Sequence, residues 1–350
     1  MFPHTFNPED VTVLLEKVEP NYMSQEQRHQ MIANGIHYNE LISKEGIPSQ
    51  KVLGLFKESV DSFGDNMAQM IRTMALTIHY IEPRPVLVSL VRAGTPTGIL
   101  VRRALLDMGV DAPHFSVSIV QGRGFDEVAI EHILSLGYRP SQLIFIDGWT
   151  GKGVVRSELS DALKKMSKNN GHMFRDELFV LSDIAGVAEH ASTREDVLIP
   201  SALLSGPLCG LVSRTLYRGT EDDPMMHGAA YLDYMEEVDV SSWFIELMDE
   251  KIRSATDQNT YKMVSMDTAQ ELMSDFIGFL LEEYNLPSRE RIKPGVGESS
   301  RLFLRKPPAK LIIRDTSRKE VAHLLEMAKE FEVDVVVMPE MPYLASCITQ

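Results

Sequence analysis

The sequence predicts an α/β fold: a parallel sheet flanked by helices, with an N-terminal helical addition and a small C-terminal α/β unit. Two observations predict it. Between residues 86 and 181, short runs rich in Val, Ile and Leu alternate with helical patterns, as βαβ units do. After a stretch at 285–297 that holds Pro287, Pro294, Gly295 and Gly297, a compact strand–helix–strand pattern closes the chain. The 350 residues suit two domains, expected at 1–285 and 286–350.

The elements follow in order. Ser24 with Gln27 has the form of a capping box, ahead of an amphipathic stretch reaching Ile32. Over 49–81, Val52, Leu55, Phe56, Val60, Phe63, Met67, Met70, Ile71 and Met74 recur three or four apart, which predicts a long helix with methionines as core filler. Pro83 and Pro85 end it. Strands are expected at 86–91, 115–120, 143–146 and 178–181, and helices at 96–108, 127–136 and 152–166. Right-handed crossovers then place the strand-to-helix loops along one sheet edge, where open α/β sheets bind ligands. Beyond Ser205 the pattern loosens, with helices expected at 241–252 and 268–284 and a linker at 285–297. The last unit reads as strand 310–314, helix 317–331 and strand 333–338.

Composition excludes several classes. Hydrophobic residues are 44% and charged residues 24%, which argues against disorder. No apolar run approaches the ~18–20 residues of a spanning helix, and the N-terminus lacks the basic and apolar regions of a secretory leader. Cys209 and Cys347 stand far apart and offer neither a disulfide framework nor metal spacing, so a cytoplasmic, non-membrane protein is expected. The formal charge of −15 is unevenly spread: residues 289–319 hold ten basic and three acidic side chains, a local +7. Such asymmetry points to two pieces with different partners, or to a solvated basic linker.

Two loops carry the chemistry. In Val86-Leu-Val-Ser-Leu-Val-Arg92-Ala93-Gly94-Thr95-Pro96-Thr97-Gly98, a buried strand runs into a polar turn and a helix start. Free amides there favour an anion, Gly94 permits close approach, and Arg92 can bond a phosphate. The alternative is an ordinary strand–turn–helix with a solvated arginine. In Leu143-Ile-Phe-Ile-Asp147-Gly148-Trp149-Thr150-Gly151-Lys152-Gly153 a second strand ends in small residues, a hydroxyl and a cation, a phosphate cradle without Walker spacing. Asp147 is placed to accept from sugar hydroxyls, or simply to cap its own turn. Two cradles at one sheet edge suit a ligand with phosphates at both ends.

These segments resemble the sugar-phosphate and pyrophosphate loops of type I phosphoribosyltransferases. More closely, the chain resembles the phosphoribosyltransferase-like proteins of bacterial tellurium-resistance and stress operons, which carry a C-terminal pelota-like RNA-binding domain and are also labelled the StiP family of cysteine proteases. The likeness extends through Ser205-Gly-Pro-Leu-Cys209-Gly-Leu-Val-Ser213-Arg214-Thr215, His227-Gly228-Ala229, Asp239-Val-Ser241 and Ile292-Lys293-Pro294-Gly295-Val-Gly297-Glu298. It implies a type I phosphoribosyltransferase-like sheet and transfer of ribosyl 5-phosphate from phosphoribosyl pyrophosphate to a base-like acceptor. Thr150, Gly151, Lys152, Gly153 and Gly148 would hold the 5-phosphate side, and Arg92, Ala93, Gly94 and Thr95 the pyrophosphate. Asp147 would be the catalytic ribose and Mg2+ ligand. Arg123, in Gln121-Gly-Arg-Gly-Phe-Asp126-Glu127, would stand on the flexible catalytic loop, with a surface turn capped by Asp126 as the plain alternative. The resemblance departs at the second acid of the signature, replaced by Gly148, and in a loop one residue shorter. Asp183, at the end of the next strand, is expected to help.

Two competing classes stand beside this. One is a non-catalytic phosphosugar sensor that governs RNA binding by the C-terminal domain. The other is a cysteine protease or hydrolase using Cys209 and His227 with Asp233, against which a buried structural cysteine is the plain reading. RNA is the expected macromolecular partner, and a homodimer one expected assembly.

Overall fold

The structure, a computed structural model, describes residues 2–20, 44–220, 223–256 and 263–349. The expected helix opened by Ser24 lies outside the described residues. A long helix α1 (Gln50–Ile81) forms where expected, with the Ser49 side chain accepting from Val52 N and Glu82 closing it before Pro83. Its buried stripe, including Phe56, Val60, Met67, Met70, Ile71, Met74 and Ile78, faces the sheet.

The main sheet comprises β1 (Thr12–Leu14), β3 (Val86–Val91), β4 (His114–Val120), β6 (Leu143–Ile146), β7 (Trp149–Thr150), β8 (Leu178–Asp183) and β9 (His190–Thr193). The two-residue β2 (Glu16–Lys17) pairs β10 (Gly228–Ala229) instead, and β5 (Gly124–Phe125) folds back antiparallel on β4. The order is β1-β4-β3-β6-β8-β7, every pair parallel, with β9 along β8. Strand order therefore reverses between β3 and β6, which opens a crevice beyond their carboxyl ends. The helices divide between the faces. On one, α1, α2 (Gly94–Asp107) and α5 (Ser241–Ser254) pack on Leu87, Ile144, Ile146, Phe179 and Leu181. On the other, α3 (Glu127–Ser135) and α4 (Val154–Asn170) pack on Val88, Leu90, Phe145 and Val180. Alternate residues of each strand serve opposite faces, so the strands read as unbroken apolar runs.

The C-terminal unit is larger than its sequence pattern. Its sheet runs β11-β14-β12-β13, with β11 (Ile292–Pro294), β12 (Lys310–Ile313), β13 (Asp334–Val337) and β14 (Ala345–Ile348). The expected linker thus contains a strand, and α7 (Val296–Phe303) begins directly after it. The glycines and prolines that suggested a linker serve that junction: Gly295 has φ +86°, and a Cβ there would lie 2.6 Å from Ile184 Cδ1. One sheet face meets α7 and α8 (Ala322–Glu330) and the main core; the other meets Met273, Phe276, Ile277 and Leu280 of α6 (Met266–Glu283). Asp196 joins the two units, its carboxylate accepting from Val296 N at 2.9 Å and Leu344 N at 2.8 Å.

Asp183 carries a second structural junction. Its fully buried carboxylate accepts from Thr150 Oγ1 (2.6 Å), Val187 N (3.1 Å), Ala188 N (3.0 Å) and Arg194 Nε (3.4 Å). Asp183→Ala would leave a nearly buried guanidinium and a buried hydroxyl without their acceptor, a loss of about 3 kcal/mol or more. Urea unfolding checks this; a midpoint within experimental error of wild type would contradict it.

Candidate active site

The crevice at the strand reversal collects the residues singled out in sequence, but fills them with protein partners. Arg92, just past β3, turns its guanidinium onto Glu45: Nη1 lies 2.7 and 2.8 Å from the two carboxylate oxygens, and donates to Val212 O at 3.3 Å. Its side chain is 8% exposed. Burial alone would raise the Glu45 pKa, but the charge and hydrogen bond of Arg92, with Arg214 N, hold it below the usual carboxylate range. Ala93 opens α2, and Thr95 Oγ1 shares a 2.7 Å hydrogen bond with Ser116 Oγ. Gly94 is small for a packing reason: a Cβ there would lie 2.6 Å from Ile146 O. Gly148 meets Ala93 from the other strand end at 3.5 Å.

The second loop is closed from outside. Trp149 Nε1 donates to Glu298 Oε1 at 3.1 Å, and a Cβ on Gly151 would meet Glu298 Cγ at 2.9 Å. A carboxylate of α7 therefore stands where the sequence placed a phosphate. Lys152 Nζ donates to Arg289 O at 2.5 Å, and burial, then the charges of Lys293 and Arg289, lower its pKa to about 8. Thr150 is spent on Asp183, and Gly153 takes φ +83° to start α4. Asp147 accepts from the Gly148 amide at 2.8 Å, and burial pushes its pKa up to about 6. Among the described residues no three His, Cys, Asp or Glu side chains gather into a metal site at Asp147 or elsewhere.

Arg123 does not stand on an open loop. Glu158 accepts from Gly122 N and Gly124 N on either side of it, at 2.6 and 3.2 Å, and its guanidinium sits 4.7 Å over the Tyr217 ring. Asp126 caps α3 through Ala129 N at 3.0 Å, which is the plain alternative the sequence offered.

Cys209 ends a short 3-10 turn and is buried. Burial pushes its thiol pKa up to about 11, opposed by the charges of Arg92 and Arg301. His227 is directed elsewhere: Nδ1 lies 2.8 Å from Ser118 Oγ, the ring packs edge-on against Tyr217, and burial lowers its pKa to about 4. Asp233 is exposed and accepts from Tyr234 N at 2.8 Å. The bridges Val212–Tyr231 and Leu216–Gly228 put four residues of chain, about 13 Å when extended, between the Cys209 turn and the level of His227. The expected Cys–His–Asp grouping is therefore not assembled. In its place the thiol faces Arg92, Arg301, Glu45 and Asp147. Glu45 and Tyr234 gave no sequence signal, lying in no strand-end motif. Glu298 stood in a quoted motif with no role attached.

Residues 4–249 match the family described as tellurite-like stress resistance cysteine protease StiP, and residues 273–350 match the PELOTA RNA binding domain. The chain belongs to the StiP family. A curated relative, "Cysteine protease StiP" of Acinetobacter baylyi (strain ATCC 33305 / BD413 / ADP1), is 32% identical over an alignment covering 100% of this chain and 94% of that protein. Among solved structures, a threonine deaminase of T.th. aligns over 67% of this chain and 74% of its own at 13% identity and a TM-score of 0.13, which carries no argument. The family and its curated relative overturn the phosphoribosyltransferase reading, with its phosphoribosyl pyrophosphate, base-like acceptor and transferase activity. The physical reason the loops misled is given by their occupants: amide-rich strand ends also form where α2 and α7 must pack closely. No helix among the described residues is long and apolar enough to cross a membrane.

Asp147 supplies a pH test. A carboxyl whose folded pKa lies near 6, above its unfolded value, binds its proton more tightly when folded, so its contribution to stability falls as pH rises from about 4 to about 6. Asp147→Asn should remove that slope and raise the unfolding midpoint at pH 7 relative to wild type. A profile parallel to wild type across this window would contradict the burial of the charge.

Proposed function

We propose that the protein is a thiol hydrolase of the cysteine-protease type, acting in stress resistance, with Cys209 as nucleophile. One observation carries the reading: Cys209 is the sole cysteine within residues 4–249, the span that matches the StiP family. Cys347 lies outside it, fully buried in β14. The position of the thiol at the crevice between β3 and β6, with Arg92 and Arg301 favouring its anion, supports the same assignment.

In the chemistry proposed, Cys209 Sγ attacks a carbonyl carbon. The carbon–sulfur bond forms, the bond to the leaving amine breaks, and that amine departs with a proton. Water then opens the thioester, releasing the acid and restoring the thiol. Arg92 is the cation that offsets charge on sulfur. His227 has no part in it, because its ring is neutral and committed to Ser118. A thiol pKa near 11 keeps the resting enzyme almost wholly protonated at neutral pH. The two free thiols suit a reducing cytoplasm.

Alkylation with iodoacetamide followed by mass spectrometry tests the thiol. Native protein should react slowly at pH 7 and faster toward pH 11, and His227→Gln should leave the profile unmoved. Rapid modification at pH 7 that His227→Gln abolishes would restore the Cys–His pair and contradict this mechanism.

A second activity is favoured by the C-terminal surface. Arg289, Arg305, Lys306, Arg318 and Lys319 are exposed there, in the region matching the PELOTA RNA binding domain. We propose that this unit binds RNA through backbone phosphates. For an oligouridine probe, Lys306→Ala with Lys319→Ala should weaken binding and reduce the slope of log affinity against log salt by about 1. An unchanged slope would contradict the phosphate contacts.

A further inference from the structure

We infer that the Arg92 pocket is a subsite for an acidic residue of a peptide substrate, and that Glu45 occupies it as a resident pseudosubstrate. The inference rests on the thiol-hydrolase reading for the identity of the nucleophile, but not for the binding itself.

Glu45 is held as a peptide residue is held in a subsite, by side chain and main chain together. Its carboxylate takes Arg92 Nη1 at 2.7 and 2.8 Å and the Arg214 amide at 3.2 Å. Its main chain is gripped by one hydroxyl: Glu45 N donates to Tyr234 Oη at 3.1 Å, and Tyr234 Oη donates to Glu45 O at 3.2 Å. The preceding residue joins in, with Lys44 Nζ 4.7 Å over the Tyr234 ring. The pocket is tied to the nucleophile's own turn, because Arg92 also donates to Val212 O and Val212 N closes on Cys209 O at 3.4 Å.

The charge sets the selectivity. A guanidinium with 8% of its side chain exposed is costly to leave unpaired, so the pocket demands an anion, and a neutral isostere such as glutamine does not meet the demand. Glu45 meets it in the resting chain. An incoming peptide must displace Glu45 and supply its own carboxylate, so the resident residue lowers apparent affinity for substrate. Substrates are therefore peptides with an aspartate or glutamate beside the cleaved bond.

The test uses the full chain with two readouts. The first is binding of a fluorescent acetylated tetrapeptide amide containing glutamate, compared with its glutamine analogue. Glu45→Ala should bind the glutamate peptide at least about 10-fold tighter than wild type, and should prefer it to the glutamine peptide by about 100-fold or more. Arg92→Met should abolish that preference, and Arg92→Lys, which keeps the charge, should retain part of it even if the methionine variant folds poorly. Equal affinity for the two peptides in Glu45→Ala overturns the inference. The second readout is intact-mass detection of adduct with glutamyl and glutaminyl chloromethyl ketones, in which Cys209 Sγ bonds to the methylene carbon as chloride leaves. Preferential labelling by the glutamyl reagent supports both claims. Equal labelling by the two overturns the acidic subsite and leaves the nucleophile standing. Selective binding of the glutamate peptide without any labelling of Cys209 supports the subsite and overturns the hydrolase reading.

Discussion

A nearly buried guanidinium at a sheet edge has to be answered by a carboxylate, and at the crevice between β3 and β6 Glu45 answers Arg92. The rest of the site is organised around that pair. Arg92 reaches across to Val212 and so fixes the turn that carries Cys209, while Arg214 and Tyr234 close on Glu45 from the segment that follows. The doubly wound order places Arg92 and Asp147 on neighbouring strand ends, which is why one crevice holds the thiol, the cation and a carboxyl with a raised pKa.

The C-terminal unit takes part in this crevice. Glu298 of α7 is bonded to Trp149 and lies against Gly151, Arg301 stands 5.5 Å from the Trp149 ring and acts on the thiol, and Lys152 is held by a carbonyl of residue 289. Asp196 then binds two main-chain amides of that unit. A chain with an RNA-binding surface on one unit thus has that unit built into the wall of a thiol site on the other.

Much of the framework was legible in the sequence because parallel strands buried on both faces write themselves as apolar runs, and because Ser49, Asp126 and Pro83 punctuate their helices. The edge strands β1, β9 and β14 were not legible. Their three or four residues carry no distinct period, and pairing partners far along the chain decide their state. Pro294 and Gly295 suggested a linker, whereas the backbone there needs a positive φ and close contact with Ile184 to turn from β11 into α7. The two functional loops were found, yet their chemistry was misjudged for one physical reason. Small residues at a helix start serve close packing as well as they serve a phosphate, and only the positions of Ile146 O and Glu298 distinguish the two. Glu45 was invisible because an ion pair across 47 residues leaves no local pattern.

The most direct measurement is a crystal structure of the Glu45→Ala chain with a glutamyl peptide aldehyde. The account predicts continuous density from Cys209 Sγ to the aldehyde carbon, a hemithioacetal, with the glutamyl carboxylate within hydrogen-bond distance of Arg92. An unmodified Cys209, with the peptide absent from the crevice or seated away from Arg92, would contradict it.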